Sequence, residues 1–521
     1  MDLVLAGVLA AGLAIRLFLA VWLDRTPAVL DEADYLGLAR GLVERGELAG
    51  TFRPPLYPAF LAFFLATGLG TLGVRVAQAL LSAASVWLTY RLARRELGRG
   101  VGRLAAALLA CDPLLILFSS RLWSETLFIF LLLAAVDRML SGQRSRRAAP
   151  WIAAGALLGL AGLTRPMILT FVPLLLFWLL LSTRADEEDK GERRSDEATE
   201  RRRDANRARG ADADSRRGGA WRLALWRGGL LCGSCALLVA PWTVRNAVTQ
   251  HAFIVVDSNG PYNFLTGTQP EAAFVNKDNF WSWRYGAVDG RPYKQRILED
   301  PAGAQRAALR AAWENLRARP WLFVRKSVWE AARLWTLDSF LLRHLRNRMF
   351  GPGQPAWLAP SLTVLSCGFT ALLTLAAAFG LACGDKAPLR GLTLLMIAHA
   401  TLLFALTYAL SRYRLPLHAF LAIFAAAFLA APAANWRRLR ERAARRRRMC
   451  GLAGALIALL TAWSLDGPLL RDMLTNQGAR YPFRYEPPPE AAGDVSHSPP
   501  EAHVPQNGRF KREPWVALAP R

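Results

Sequence analysis

Metal-ligating and redox side chains are scarce in this chain, whose 521 residues include six histidines and six cysteines. No pair of histidines has the HExxH spacing, and no Walker loop or GxGxxG turn follows a predicted strand. Nothing in the sequence therefore points to a catalytic metal or a nucleotide cofactor, and we expect neither. The scattered cysteines imply no disulfide framework. CGSC (232–235) has redox spacing, but it lies in an apolar run where small residues favour helix packing.

Acidic residues are few beside basic ones: 40 Asp and Glu against 65 Lys and Arg, a formal net charge of +25. Such an excess is typical of nucleic-acid-binding proteins when the basic residues line one surface. Here the arginines cluster beside apolar runs instead, at 91–103, 141–147 and 437–448. Cytoplasmic loops of membrane proteins attract such clusters, and anionic lipid head groups add to the effect. We therefore expect membrane lipids as partners and no nucleic acid.

Long apolar runs account for most of the chain, and 53% of the residues are hydrophobic. They form blocks of roughly 17–25 residues, the length that crosses a hydrocarbon core of about 30 Å. The first block carries Arg16, lacks a basic n-region and is followed by further blocks, so it reads as a span and not as a cleavable signal peptide. The sequence predicts a polytopic α-helical membrane protein with about eleven transmembrane helices: 2–23, 72–92, 104–120, 122–140, 151–164, 167–183, 222–242, 357–382, 389–410, 416–434 and 450–466.

Placing the arginine clusters on the cytoplasmic side gives one consistent topology. The amino terminus is then cytoplasmic, and residues 24–71 form the first outer loop. The block 151–183 would be about 48 Å long as one helix. It contains the proline of TRP (164–166), so we predict two short spans with Arg165 at the outer turn. The segment 184–220 holds eleven basic and eleven acidic residues and almost no large apolar ones, which predicts a disordered cytoplasmic insert.

The same topology divides the chain into four parts. Residues 1–244 form a transmembrane region that includes the first outer loop and the charged insert. Residues 245–355 are the longest polar region, with aromatic and turn residues and a helical stretch at about 302–318. We expect a mixed extracytoplasmic domain there. Residues 356–466 supply the carboxy-terminal transmembrane helices, and residues 467–521 form a Pro-rich tail.

Three acids follow the first span in LDEADYLGLAR (30–40). If Asp31 is only an N-cap, Glu32 and Asp34 merely favour the helix dipole. Alternatively, Asp31 is a general base at the membrane boundary, where an interfacial helix holds it against a lipid-borne substrate. A helix that begins at Asp31 would place an apolar stripe beside it: Tyr35, Leu38, Ala39 and Leu42.

Cationic residues at the predicted outer boundary are the second feature of the candidate site. The two prolines of RPPLYP (53–58) predict an extended backbone that cannot continue a helix and that holds Arg53 and Tyr57 near the membrane surface. An ordinary loop-to-helix junction is the alternative. A forked guanidinium suits phosphate. Arg412 and Arg414, which flank Tyr413, are the best pair for it, whereas each arginine alone is also explained as an interfacial anchor. The other cations of this boundary are Arg121, Arg165 and Arg245, and Lys326 lies in the large outer region.

A further acid, Glu125, ends the stretch SRLWSE (120–125) at the outer top of a span. An ionisable group there is costly unless it is paired or solvated. It either orients a substrate hydroxyl or forms a structural ion pair with Arg121 or Arg165. Acids and arginines at one membrane face suit a lipid-phosphate leaving group opposite an acceptor that must lose a proton. The candidate substrate-binding residues are Arg53, Tyr57, Glu125, Arg165, Arg412, Tyr413 and Arg414.

The order of these motifs resembles the GT-C superfamily of integral-membrane glycosyltransferases, in particular the bacterial branch related to protein O-mannosyltransferases and aminoarabinose transferases. DEADYLGLARGL, RPPLYPAFLA, SRLWSE, GLAGLTRP, PWTVRN and RYRLP carry the resemblance across about residues 1–430. The resemblance implies a polyprenyl-phosphate sugar donor and single displacement with inversion on the extracytoplasmic face of a bacterial inner membrane. It implies that Asp31 is the catalytic base, that Glu32 supports the site, and that Arg412 and Arg414 hold the phosphate. The extracytoplasmic acceptor, whether lipid, glycan or protein, is left open.

Two other functions compete with this interpretation. A transporter or flippase would bind a lipid-linked glycan without transforming it, but transporters often show repeated halves with broken helices at the midplane. No such repeat is visible here, and the polar candidates gather at one face. A polysaccharide ligase or polymerase would instead place its key residues in the large outer region 245–355.

Overall fold

The computed structural model describes most of the chain apart from the charged insert, parts of the outer region and the tail. The described residues are 2–24, 31–48, 50–145, 147–183, 209–269, 287–288, 291–292, 296–297, 299–337, 339–346, 357–384, 388–441 and 445–474. Most of the insert 184–220, much of the outer region and the tail beyond residue 474 therefore lie outside the described residues.

Helices form nearly all of the described backbone. The amino-terminal part contains α1 (Leu3–Leu23), α2 (Asp31–Arg45), α3 (Leu56–Ala66), α4 (Gly70–Leu97), α5 (Arg99–Ala110), α6 (Pro113–Ser120), α7 (Glu125–Gln143), α8 (Ala149–Thr164), a 3-10 turn (Pro166–Phe171) leading into α9 (172–183), and α10 (Arg209–Gln250). The outer region contains α11 (Asn259–Thr268), the antiparallel strands β1 (Ala287–Val288) and β2 (Arg291–Pro292), α12 (Pro301–Ala318), α13 (Pro320–Leu334) and α14 (Ser339–Arg346). The carboxy-terminal part contains α15 (Leu358–Cys383), α16 (Pro388–Leu406), a 3-10 turn (Ser411–Arg414), α17 (Leu415–Leu429), α18 (Pro432–Leu439), α19 (Arg445–Ser464) and α20 (Gly467–Leu474).

The helices confirm a polytopic α-helical membrane protein. Among the described residues, 7 helical segments are long and apolar enough to cross a membrane, or 8 if α5 and α6, which are bent by 55°, form one span. The predicted number of about eleven is not confirmed. Two of the predicted spans fall on shorter apolar helices, namely α8 and the apolar part of α19 (Arg448–Ser464).

The predicted span 104–120 is divided in two because Asp112 starts a new helix. Its carboxylate accepts hydrogen bonds from two backbone N–H groups in the first turn of α6, at 3.0 and 3.2 Å. Arg16 of α1 is fully buried and donates to the carbonyl of Ala110, at the end of α5, at 3.0 Å. Arg16 therefore points into the bundle and satisfies a carbonyl that the helix break leaves without an intrahelical partner.

The long block 151–183 is interrupted where TRP occurs. Arg165 has an extended backbone (φ −147°, ψ 102°), and Pro166 begins the following 3-10 turn. Before this break α8 packs closely on α10, since a Cβ on Gly155 would lie 2.1 Å from the carbonyl oxygen of Leu231. The small residues of this contact act in helix packing. α10 itself begins at Arg209, inside the predicted insert 184–220.

The first outer loop folds back on the bundle through two helices. α2 begins at Asp31 as predicted, with Tyr35 and Ala39 buried and Arg40 exposed. α3 begins immediately after Pro55, whose backbone (φ −78°, ψ −31°) is already helical. RPPLYP is therefore a loop-to-helix junction rather than an extended segment. It brings Arg53 to the start of α2.

Candidate active site

Asp31 lies between two arginines from distant parts of the chain. Nη2 of Arg53, from the junction before α3, donates to Oδ1 of Asp31 at 2.6 Å. Nη2 of Arg412, from the 3-10 turn before α17, donates to Oδ2 at 2.9 Å. Arg53 also binds Asp34, one turn further along α2, at 2.7 Å. Two carboxylates on one face of α2 thus hold the two guanidinium groups at the beginning of that helix.

The arginines determine the charge of Asp31. Burial alone would raise the pKa of the Asp31 carboxyl, but Arg53 and Arg412 together hold that pKa well below its usual range. Asp31 is therefore ionised at every physiological pH. Its proton affinity is low for as long as both arginines remain on it.

Glu125, at the start of α7, forms the second carboxylate of the cluster. Nη1 of Arg165 lies 2.7 Å from Oε1 of Glu125, and Nε of Arg412 lies 4.0 Å from the same oxygen. Of the two arginines considered from the sequence, Arg165 is the partner of Glu125. Arg412 therefore lies between Asp31 and Glu125 and joins the two carboxylates.

Aromatic rings surround the three arginines. The guanidinium carbon of Arg412 lies 4.9 Å from the ring centroid of Phe340 and 5.4 Å from that of Tyr413. The guanidinium carbon of Arg165 lies 5.9 Å from the Tyr413 ring, and the guanidinium carbon of Arg53 lies 5.2 Å from the Tyr35 ring. Such cation–π contacts fix the positions of the charges without using their N–H donors.

Two of these guanidinium groups have a buried Nε–H donor that forms no hydrogen bond. No hydrogen-bond acceptor in the described part of the chain meets Nε of Arg53 or Nε of Arg412. Buried N–H groups without acceptors are unfavourable, and they are uncommon in folded proteins. The described part of the chain thus leaves one N–H donor of each guanidinium unused.

Glu32 does not face the cluster. It is fully buried, forms an ion pair with Arg121, and accepts a hydrogen bond from the backbone N–H of Leu122 at 2.7 Å. Arg121 is also fully buried. The ion pair holds α2 against the connection between α6 and α7. It thereby helps to fix the position of Asp31, the residue before Glu32.

Tyr57 lies in the same supporting layer. It is fully buried, and its hydroxyl donates to Oε1 of Gln78 at 2.7 Å. Its ring meets the ring of Tyr35 edge-on, with the centroids 4.8 Å apart. The amide of Gln78 in turn donates to the carbonyl of Arg121 at 2.7 Å. Tyr57 therefore positions the Tyr35 ring, and its hydroxyl binds Gln78 rather than a carboxylate.

The structure places Arg414 away from the position predicted for it. Arg414 is fully buried and donates to the carbonyls of Leu334, Thr336 and Leu337 at 2.6–2.8 Å. The guanidinium thus binds the backbone at the end of α13 rather than the space beside Asp31. Residues two apart in a 3-10 turn project in different directions, which is why Arg412 and Arg414 separate.

Two further outer cations considered from the sequence, Arg245 and Lys326, also bind backbone carbonyls. Nη2 of Arg245 donates to the carbonyl of Leu48 at 2.8 Å, and Nζ of Lys326 donates to that of Thr407 at 2.7 Å. Neither of them contacts the carboxylates. In the part of the chain that the structure describes, no three His, Cys, Asp or Glu side chains come together as a metal site requires.

Sequence reasoning missed Phe340, whose ring lies against Arg412, and Asp257, whose neighbour Ser258 contacts Thr51. Phe340 lies in the outer region, far along the chain from Arg412, and no motif marks it. Asp257 precedes the turn residues Asn259 and Gly260, so its sequence context suggests only an Asx turn.

The fold and the site define a class: a polytopic membrane protein with a buried cluster of carboxylates and arginines where the first outer loop meets the bundle. Residues 52–188 match the family model described as dolichyl-phosphate-mannose-protein mannosyltransferase. The match confirms the resemblance to the GT-C superfamily of membrane glycosyltransferases. It includes Arg53, Glu125 and Arg165, and it begins after Asp31.

Solved structures of similar proteins include the apo oligosaccharyltransferase of Archaeoglobus fulgidus, at 14% identity and a TM-score of 0.44 over 92% of this chain and 56% of that one. The ArnT structure from Cupriavidus metallidurans bound to undecaprenyl phosphate has 16% identity and a TM-score of 0.36 over 82% of this chain and 79% of that one. The chain thus spans little more than half the length of the archaeal enzyme. No curated protein sequence matches significantly. The function proposed below rests on the family match and on the geometry of this chain.

Proposed function

We propose that the protein is an integral-membrane glycosyltransferase that moves a sugar from a polyprenyl phosphate to an extracytoplasmic acceptor, a lipid, a glycan or a protein. The observation that carries the proposal is the position of Asp31 between Arg53 and Arg412. A carboxylate and two guanidinium groups lie within hydrogen-bond distance, and each guanidinium has an unused Nε–H. This arrangement offers charge for a phosphate and a base for an acceptor at one place.

The donor phosphate binds to the arginine cluster in this mechanism. Arg412 and Arg53 present their free Nε–H groups, and Arg165 supplies a third cation beside Glu125. A guanidinium binds phosphate oxygens through paired N–H donors, which a lysine cannot reproduce. Arg414 is assigned a structural role, since its donors bind three carbonyls.

Donor binding also increases the basicity of Asp31. When the phosphate draws Arg412 and Arg53 toward itself, Asp31 loses part of the positive charge that lowers its pKa. A carboxylate that is ionised and less strongly paired accepts a proton more readily. The base thus becomes stronger when the donor is bound.

The reaction is a single displacement. The acceptor nucleophile forms a bond to the anomeric carbon while its proton passes to Asp31. The bond from that carbon to the phosphate oxygen breaks, and its electron pair stays on the polyprenyl phosphate, whose charge the arginines stabilise. Attack opposite the leaving group inverts the anomeric configuration.

The arrangement of charged segments supports an active site on the extracytoplasmic face of the bacterial inner membrane. The arginine-rich segments 91–103 and 437–448 favour the cytoplasmic side. Asp31 follows the carboxy-terminal end of α1, whereas residue 91 lies near the carboxy-terminal end of the next long span, α4. The two regions are therefore at opposite ends of the bundle. Among the described residues of 245–355, Arg245 contacts Leu48 and Ser258 contacts Thr51, both in the first outer loop that carries Asp31.

Sugar transfer is tested directly with purified protein in nanodiscs and a radiolabelled polyprenyl-phosphate sugar. We expect release of polyprenyl phosphate in the presence of acceptor-containing membrane extract. A lipid-linked glycan that is bound and moved between leaflets without cleavage would instead show a flippase. Transfer that depends on residues 245–355 and not on Asp31 would show a ligase or polymerase.

A further inference from the structure

A cavity of about 630 Å³ opens at the end of the bundle opposite to Asp31. It lies between the first turn of α1, the carboxy-terminal part of α4 and the start of α5. α1 is about 30 Å long by its helical rise, and Asp31 follows its other end. The cavity is therefore separate from the carboxylate–arginine cluster. Its volume is within the range of ligand-binding pockets, roughly 300–1,000 Å³.

Positive charge dominates the wall of the cavity. Three arginines line it, Arg94, Arg99 and Arg103, together with the carboxylate of Asp2. Oδ2 of Asp2 accepts a hydrogen bond from Nε of Arg103 at 2.7 Å, and Nε of Arg99 lies 3.9 Å from the same oxygen. No carboxylate of the described residues pairs with Arg94, whose guanidinium carbon lies 6.0 Å from the ring centroid of Tyr90. The side chains that line the cavity therefore carry an excess of positive charge.

Two helices begin at the cavity without a side-chain cap. Asp2 is the N-cap residue of α1, but its carboxylate binds Arg103 and accepts no hydrogen bond from the first turn. The N-cap of α5 is Gly98, which has no side chain and which alone separates α5 from α4. Both first turns are described, and neither contains an acidic residue. The N–H groups at a helix start favour an anion, and here two helix starts and the excess arginine charge act at one place.

Apolar side chains also line the cavity. Leu3 and Val4 of α1 are 85% and 56% exposed, and the Trp87 side chain of α4 is 39% exposed. Because α1 is long and apolar enough to cross a membrane, these side chains contact acyl chains in a bilayer. Tryptophan is enriched at the membrane–water interface. The cavity therefore suits a ligand that has both an anionic group and an acyl chain.

We propose that this cavity binds an anionic phospholipid from the leaflet on the arginine-rich side. The phosphodiester binds Arg94 and Arg99, and the acyl chains lie along Leu3 and Val4. Basic pockets between membrane helices are typical sites of anionic lipid head groups. A soluble phosphate would satisfy the arginines but would leave the apolar wall without a partner. The inference goes beyond the proposed function and is independent of it, since it requires no sugar transfer.

Lipid binding is tested with the full-length protein, delipidated in detergent and titrated with dioleoylphosphatidylglycerol under native mass spectrometry. We expect a tightly bound lipid. Arg94→Gln with Arg99→Gln should raise its Kd about 30-fold, because each arginine near an anionic head group contributes about 5-fold. Arg440→Gln is the matched control and should keep the wild-type Kd. Arg440 is also exposed and lies over a ring, that of Trp436 at 5.2 Å, but it does not line the cavity.

Asp2→Asn should change the affinity in the opposite direction. It removes the carboxylate that offsets the arginines, so the Kd should fall about 5-fold, a gain that misfolding cannot produce. Arg94 and Arg99 are exposed, so the double variant should fold with the wild-type Tm.

Four results would each overturn the proposal. Two of them are an unchanged Kd in the double arginine variant and a Kd for Asp2→Asn at or above that of wild type. The third is equal affinity for zwitterionic dioleoylphosphatidylcholine. The fourth is release of the bound lipid by millimolar glycerol phosphate, which would show a site for soluble anions.

Discussion

Arg412 and Asp31 are 381 positions apart in the sequence, and Nη2 of Arg412 donates to Oδ2 of Asp31 at 2.9 Å. The contact joins the first outer loop to the turn before α17, near the carboxy-terminal end of the bundle. Arg53 completes the arrangement from the other side of the carboxylate. Because a charged residue is buried in this way only when it is paired, the site forms only after both parts of the chain have packed.

Arg412→Ala should raise the apparent KM for the lipid-linked donor. A charge-assisted hydrogen bond in such a site contributes about 1.5–3 kcal/mol, which corresponds to a loss of affinity of roughly 10–150-fold. Arg412→Lys should recover little of it, because an ammonium group lacks the fork. Steady-state kinetics with varied donor measure the effect. Donor KM values that are unchanged in both variants would place the phosphate elsewhere.

Arg414→Ala should behave differently, although it lies two residues away. The change leaves three backbone carbonyls without this donor, two of them in buried hydrogen bonds, and the loss of a buried one costs about 1–3 kcal/mol. We expect a lower Tm and a lower yield of folded protein, with the donor KM of the surviving fraction within about 2-fold of wild type. Thermal unfolding in detergent, followed by kinetics on the monodisperse fraction, checks both expectations. A raised donor KM at normal stability would return Arg414 to the phosphate site.

Glu32→Gln should damage folding more than chemistry. It leaves the buried Arg121 without its countercharge, and breaking one side of a buried ion pair costs about 3–5 kcal/mol. Glu32→Gln with Arg121→Met should be more stable than Glu32→Gln alone, since the second change removes the unpaired charge. Tm values of the two variants decide this. Equal Tm values for wild type and Glu32→Gln would show that the pair does not hold α2 in place.

The sequence could predict part of this site from local patterns alone. The start of α2 at Asp31 follows from three acids before an apolar stripe, and the break at Arg165 follows from the proline after it. Local patterns could not show which of the arginines lie in the cluster around Asp31. Arg53, Arg165 and Arg412 come from three separate connections, and only the packing of the helices shows that they meet. The same holds for Arg414, whose acceptors are backbone carbonyls that no sequence motif marks.

The membrane topology is open to a simple labelling test. In a chain without native cysteines, Glu47→Cys in the first outer loop should react with an impermeant maleimide added to intact cells. Arg144→Cys, between α7 and α8, is the matched control and should react only after permeabilisation. Both positions are exposed. The reverse pattern would place the carboxylate–arginine cluster on the cytoplasmic side.

Turnover of Asp31→Asn is the most direct test of the central claim that Asp31 takes the acceptor's proton. Asparagine keeps the shape of the side chain and still accepts hydrogen bonds from the arginines, but it cannot accept a proton. Asp34→Asn is the matched control, since Asp34 also binds Arg53, at 2.7 Å. Among the described contacts, the carboxylate that binds Arg412 is that of Asp31. For well-folded protein we predict that Asp31→Asn lowers kcat by about 10²–10⁴-fold while Asp34→Asn stays within a few-fold of wild type. A kcat for Asp31→Asn within a few-fold of wild type would contradict the account.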